Sequence, residues 1–214
     1  MRLFLASQDF GRHADRLLEM VKNNRKVLFI DNAKDYKSEA EKQESLERKR
    51  KMFTDVGWKD FIYLDLRKYF GKKDELERFI ETEKPGLIFA IGGNSFILRR
   101  AFAQSGLDGI LLRDLAEDKY VYGGSSAGSE MVEKSFEGHE IGDDPDFVPE
   151  GYDAEVIWGG LGLISEMLLP HADQEWADYV PDRQKYFEER GLEYLLMGDS
   201  DVLVVDGDKK EVLR

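Results

Sequence analysis

The chain contains no cysteine in 214 residues. That excludes disulfides, thiolate metal ligands and cysteine nucleophiles together, and it fits a reducing compartment. Histidine is scarce: His13, His139 and His171 are the three imidazoles available as a base. No apolar run approaches the roughly 20 residues of a membrane-spanning helix. The opening Leu3-Phe4-Leu5-Ala6 is soon followed by Asp9 and Gly11 and lacks the apolar stretch of a secretion signal. A cytoplasmic protein with no membrane partner is the expectation. Positive charge is in deficit, 31 Lys and Arg against 44 Asp and Glu, for a net charge of −13. A field of that sign repels phosphate and argues against nucleic-acid binding.

A hydrophobic fraction of 42%, with 12% aromatic residues, is enough for a real core. Neither an internal repeat nor a low-complexity linker divides the chain, so residues 1–214 read as one domain. Short apolar runs alternate with longer amphipathic ones. Strands are predicted over 2–6, 27–30, 61–64, 87–91 and 120–122, and helices over 12–23, 35–56, 74–82, 95–104 and 109–117. This alternation predicts an α/β fold, a mostly parallel central sheet with helices on both faces. The Glu/Lys/Arg-rich tract within 35–56 reads as a solvated face and not as a binding patch. Residues 138–160, rich in Gly, Asp, Glu and Pro, read as a long surface loop. Residues 162–169 form an apolar run ending at Pro170-His171, and 173–190 look helical, with Pro181 marking a boundary. Residues 194–197, 202–205 and 211–213 close the domain as strands, with Asp206-Gly207 as a hairpin signal.

The strongest chemical signal is Gly124-Ser125-Ser126-Ala127-Gly128, a G-x-S-x-G pattern after a predicted strand and before residues 129–134, which can continue as a helix. A sharp turn there lifts the Ser126 hydroxyl out of the sheet, and flanking glycines give the turn room. The helix start points N–H groups at developing negative charge. A serine nucleophile needs a base. His171, at the end of an apolar strand, is favoured because sites gather at strand ends in open α/β sheets. His139 is the reserve, and His13 reads as a surface helix residue. The acid that orients the base is over-supplied: Glu140, Asp143, Asp144, Asp146, Glu150 and Asp153 all lie between Ser126 and His171. A second glycine cluster, Gly92-Gly93-Asn94, also follows a strand and opens a helix. It fits one half of an oxyanion hole, the Gly93 N–H, with the Ala127 N–H as the other half. Asn94 suits a helix N-cap.

Taken in order, Gly92-Gly93-Asn94, Gly124-Ser125-Ser126-Ala127-Gly128, Gly160-Leu161-Gly162-Leu163 and Pro170-His171 resemble the alpha-aspartyl dipeptidase (dipeptidase E) and cyanophycinase family. The resemblance spans most of the chain. It implies a serine peptidase on a sheet like that of class I glutamine amidotransferases, acting on a small peptide and needing no cofactor. It implies Ser126 as nucleophile, His171 as base, Gly93 and Ala127 as oxyanion donors, and Asp144 of the Asp143-Asp144 pair as the third member. Arg183 stands where similar sequences carry an arginine after the catalytic histidine, which makes it the candidate cation for an acidic substrate. Glu130 departs from the family pattern. One helical turn beyond Ser126, it would repel an acidic side chain or bind a free α-amino group. Asn94, Arg183 and Glu130 are therefore the expected substrate-binding residues, and a preference for N-terminal Asp is left open. Two rivals share these residues: an esterase or amidase with the same triad, and a non-catalytic binding member. Neither a metal site nor an oligomeric state follows from the sequence.

Overall fold

The computed structural model describes residues 1–10 and 12–214 in full and Gly11 by its backbone alone. Continuous apolar runs become strands buried on both sides. In chain order the elements are β1 (Arg2–Ala6), α1 (Ala14–Val21), β2 (Lys26–Ile30), α2 (Glu39–Asp55), β3 (Asp60–Tyr63), α3 (Lys73–Glu83), β4 (Leu87–Ala90), α4 (Ser95–Ser105), α5 (Leu107–Ala116), β5 (Val121–Ser125), α6 (Ala127–Glu130), β6 (Met167–Leu169), α7 (Val180–Glu189), β7 (Tyr194–Leu196), β8 (Val202–Asp206) and β9 (Lys209–Leu213). The main sheet has the order β3-β2-β4-β5-β1-β8-β9. Its first five strands run parallel, and β8 and β9 add an antiparallel edge.

Side chains alternate across this sheet with the strand period of two. Leu3, Leu5, Leu28, Ile30, Ile88 and Tyr122 pack with α3, α4 and α5 through Leu76, Ile97, Phe102 and Ile110. Phe4, Val27, Phe29, Leu87 and Phe89 pack on the other face with Leu17 and Met20 of α1 and Phe53 of α2. Helices thus cover both faces, as the alternation of runs predicts. No helix among the described residues is long and apolar enough to cross a membrane.

Several boundaries differ from the sequence reading. The charged helix α2 begins at Glu39, not at residue 35, because Ser38 and Glu41 form a reciprocal capping box that fixes its start. The helix after Ser126 stops at Glu130. Only Met167–Leu169 of the apolar run 162–169 is strand, paired in parallel with β7 in a separate two-stranded sheet. The helix expected over 173–190 spans only Val180–Glu189, and Pro181 marks its boundary as the sequence reading has it. It lies in the first turn of α7, where its missing N–H costs no helical hydrogen bond.

Candidate active site

Ser126 sits between β5 and α6 with φ 50° and ψ −123°. An L-residue is held there at a cost of about 1–3 kcal/mol, a kind of strain that gathers at functional sites. Its backbone is fixed on both sides. Ser126 N donates to Ala6 O at 3.1 Å, and Ser126 O accepts from Ser129 N at 2.7 Å and Glu130 N at 3.1 Å. The glycines of the motif are required by contact: a Cβ on Gly124 would lie 2.4 Å from the Gly128 backbone, and one on Gly128 would lie 2.0 Å from Ala90 O. The turn is as tight as the spacing predicts.

The Gly92-Gly93-Asn94 loop leaves β4 and passes against Ser126. A Cβ on Gly92 would meet Ser126 Cβ at 2.8 Å. Gly93 has a positive φ of 155°, and a Cβ there would come within 2.4 Å of Ala33 O, so only glycine fits. Ala33 O in turn accepts from Asn94 N at 2.9 Å. Among the described residues, neither the Gly93 nor the Ala127 amide donates to another backbone group. Asn94 lines the cavity with both polar groups engaged. Its Oδ1 accepts from Ile97 N at 2.9 Å as the cap of α4, and its Nδ2 donates to Asp144 O at 2.9 Å.

His171 has a φ of 63°, and its amide donates to Ser7 Oγ at 2.8 Å. Its Nδ1 lies 2.6 Å from Asp199 Oδ1. An ionised carboxylate only accepts, so Nδ1 carries the proton and Nε2 is left as the basic nitrogen. This corrects the expectation for Asp144. Asp144 Oδ1 accepts from Asp146 N at 2.9 Å within its own loop, and the carboxylate on the imidazole is Asp199. The cause is strand register. Leu169 of β6 pairs with Leu196 of β7, so both chains leave the small sheet side by side, and His171 emerges next to the turn that holds Asp199. Asp199 comes after His171 in the chain, so a search confined to the acids between Ser126 and His171 misses it. The legible signal was an acidic turn, Gly198-Asp199, directly after a predicted strand.

Ser126, His171, Gly93, Asn94 and Asp144 line one cavity of about 610 Å³, a normal size for a small-ligand site. Three of its lining residues are exposed aromatics, Tyr36, Phe147 and Trp176. The Trp176 ring stands 4.7 Å from the His171 ring. Arg183 and Glu130 also line the cavity, but they face each other. Arg183 Nη1 donates to Glu130 Oε1 at 3.0 Å, with both side chains 3% exposed. The other guanidinium nitrogens donate to His139 O and Ile141 O. Arg183 is therefore already fully engaged by hydrogen-bond partners within the protein. Behind this pair His139 Nε2 lies 2.9 Å from Glu133 Oε2, and Glu133 Oε1 accepts from Leu168 N at 2.8 Å. Burial pushes Glu130 up to about 7 against the opposing pull of Arg183. Burial first and Glu130 second raise Glu133 well above the usual carboxyl range, while burial and then Arg183 hold His139 well below the usual imidazole value. His139 is fully buried away from the cavity, so among the three histidines His171 alone reaches it, and His13 also lies outside it.

A family model for peptidase family S51 matches residues 3–213. The chain belongs to that family. Membership makes it a serine peptidase. Two solved structures share the fold. A candidate peptidase E protein from Listeria monocytogenes EGD-e is 21% identical with a TM-score of 0.76, covering 100% of this chain and 98% of its own. A peptidase from an acI-B1 Actinobacterium is 16% identical with a TM-score of 0.70, covering 99% and 86%. At these identities the likeness speaks to the fold. No curated protein matches the chain.

Proposed function

We propose that this serine peptidase hydrolyses a peptide bond in dipeptides or other short peptides through an acyl-enzyme at Ser126. The observation that carries the reading is the His171–Asp199 pair lining or flanking the same cavity as a serine held at positive φ. Ser126 Oγ attacks the carbonyl carbon while His171 Nε2 takes its proton. The tetrahedral oxyanion is received by the Gly93 and Ala127 N–H groups, each worth roughly 100- to 1000-fold in rate in comparable sites. The intermediate collapses, His171 delivers the proton to the leaving amine, and the C–N bond breaks. Water, activated by the same nitrogen, then hydrolyses the ester and restores Ser126. Asp199 holds Nδ1–H and stabilises the imidazolium that forms at each proton transfer.

The cavity size and its aromatic rim favour short peptides over folded protein chains. A fluorophosphonate probe tests the nucleophile. The wild-type chain is expected to label and Ser126→Ala to lose the label together with turnover of a dipeptide panel. Labelling that survives in Ser126→Ala overturns the assignment.

A further inference from the structure

Resting on that reading of Ser126 and His171, a buried carboxyl group that takes no part in the reaction links the two. Glu133 stands just beyond α6 and is fully buried. Backbone bonds lead to it from the elbow. Ser126 O accepts from Glu130 N, and Glu130 O accepts from Glu133 N, each at 3.1 Å. The side chain then crosses to β6, where Glu133 Oε1 accepts from Leu168 N at 2.8 Å. β6 is three residues long and has one neighbouring strand, β7. Leu168 is buried, so an amide left open on the other edge would be a costly orphan. The Glu133 carboxyl stands in for the missing ladder partner. His171 follows this strand by two residues.

The second carboxyl oxygen shows where the protons sit. Glu133 Oε2 lies 2.9 Å from His139 Nε2. His139 is fully buried and held below the usual imidazole value, by burial first and Arg183 second, so it is neutral and carries one N–H. Its Nδ1 has no hydrogen-bond partner and faces Glu130 Oε1 at 3.5 Å. Were Glu133 ionised, His139 would donate from Nε2 and turn the Nδ1 lone pair towards the Glu130 oxygen, acceptor against acceptor. Two buried carboxylates would also share one arginine, and the 3.0 Å contact of Arg183 is with Glu130. A proton on Glu133 resolves both conflicts. The carboxyl O–H donates to His139 Nε2, His139 Nδ1–H turns towards Glu130, Oε1 accepts from Leu168 N, and the cluster is neutral as a whole. Burial and then Glu130 raise the Glu133 carboxyl in the same sense, against Leu168 N and Arg183.

We propose that Glu133 is a positioning residue for the base: accepting from Leu168 and donating to His139 at once, it holds β6, and His171 beyond it, against the segment that follows the nucleophile. The role needs an acceptor and a donor on one flat group, which a neutral carboxylic acid shares with a primary amide.

Glutamine therefore keeps both bonds, whereas leucine keeps the bulk and neither bond. In Glu133→Leu, kcat for a dipeptide is expected to fall about tenfold to a hundredfold, as for a small misplacement of a catalytic group, with little change in KM. Glu133→Gln recovers kcat to within about threefold of wild type. Met20→Ala, a core variant on the opposite face of the sheet, loses stability without this loss of kcat. NMR of nitrogen-labelled histidine reads the geometry without turnover. It is expected to show His139 protonated at Nδ1, and a low-field proton for the His171 Nδ1–H on Asp199 that persists in Glu133→Gln and is lost in Glu133→Leu. Thermal unfolding reports whether each variant folds, and Glu133→Asp, too short to reach both partners, replaces a leucine variant that does not. His139 protonated at Nε2, a folded Glu133→Leu with wild-type kcat and His171 signal, or a Glu133→Gln as impaired as Glu133→Leu overturns the role. A wild type that neither hydrolyses dipeptides nor labels with fluorophosphonate, yet shows these histidine signals and their loss in Glu133→Leu, supports the link from Glu133 to His171 and overturns the catalytic reading.

Discussion

Replacing Asp199 by asparagine removes one charge and keeps the shape of the side chain beside His171. The contact it alters is short, 2.6 Å between His171 Nδ1 and Asp199 Oδ1. Its purpose in the proposed reaction is to hold the imidazole with Nε2 free and to face the imidazolium with a negative charge. In a fully buried serine–histidine–aspartate triad the same change lowers kcat by about 10⁴. Here the Asp199 side chain is 18% exposed, so water screens part of the lost charge. The expected loss in kcat/KM is therefore about 10²- to 10⁴-fold, or roughly 2.7–5.4 kcal/mol of transition-state stabilisation at 1.36 kcal/mol per decade. Asp144→Asn is the matched control. It keeps the backbone carbonyl that receives Asn94 Nδ2 and an oxygen that can accept from Asp146 N, so its kcat/KM is expected to stay within about threefold of wild type. Dipeptide hydrolysis at neutral pH and the rate of fluorophosphonate labelling together give the readout, the second being less dependent on peptide binding. The reasoning fails if Asp199→Asn hydrolyses and labels at close to the wild-type rate, and it fails doubly if Asp144→Asn is the variant that loses both.

Arg183→Met strands Glu130 as a buried, unpaired acid, and breaking a buried pair from one side typically costs about 3–5 kcal/mol. Urea unfolding should show that loss, with Glu130→Gln recovering part of it in the double variant; additive losses would mean that the 3.0 Å contact carries no coupling. Glu133, whose folded carboxyl is raised by burial, keeps its proton at pH values where the unfolded chain has released it, so the folded chain binds more protons. Its contribution to stability is greatest below the ordinary carboxyl range and declines as pH rises through and above it. Unfolding free energies compared with Glu133→Gln should accordingly show the wild type losing ground from about pH 4.5 upward, and parallel profiles would refute this.

The strands that carry the proposed nucleophile and the glycine loop were legible because both are continuous apolar runs ending in glycine. Period-two burial across a helix-covered sheet leaves little else for such runs to be. What sequence order could not convey is lateral pairing. The small β6–β7 sheet forms from two three-residue strands separated by α7, and nothing in either run reveals that they lie in register. The imidazole's partner is set by that register alone. A different difficulty hides Lys49, a residue of the cavity wall. It sits among Glu, Lys and Arg residues that are mostly exposed, and it reaches the cavity only because α2 packs one narrow face, including Leu46 and Phe53, against the sheet. Composition describes the tract correctly and says nothing about which of its turns faces inward.

The proposed nucleophile and base arise in different sheets, and they are brought to one cavity by the carboxyl end of β1. Ala6 O accepts from Ser126 N and, at 2.8 Å, from Ser129 Oγ, which fixes the elbow. The next residue, Ser7, accepts from His171 N through its Oγ and donates from the same oxygen to Met197 O at 3.2 Å, while its amide donates to Asp201 O. One dipeptide thus bonds to the backbone of the nucleophile, of the base and of the segment that carries Asp199. Ser7 is fully buried, so each of these bonds forms away from competing water, and none can be lost without leaving a buried polar group unpaired. The placing of Ser126 and His171 about one cavity therefore derives from β1, an inner strand between β5 and β8, whose position is fixed from both sides. The placement of reactive groups at the carboxyl ends of parallel strands has a physical reason here. Ala6 is the last residue of β1 with ladder partners on both sides, and just beyond it the polar groups of Ser7 turn to the loops that do the chemistry.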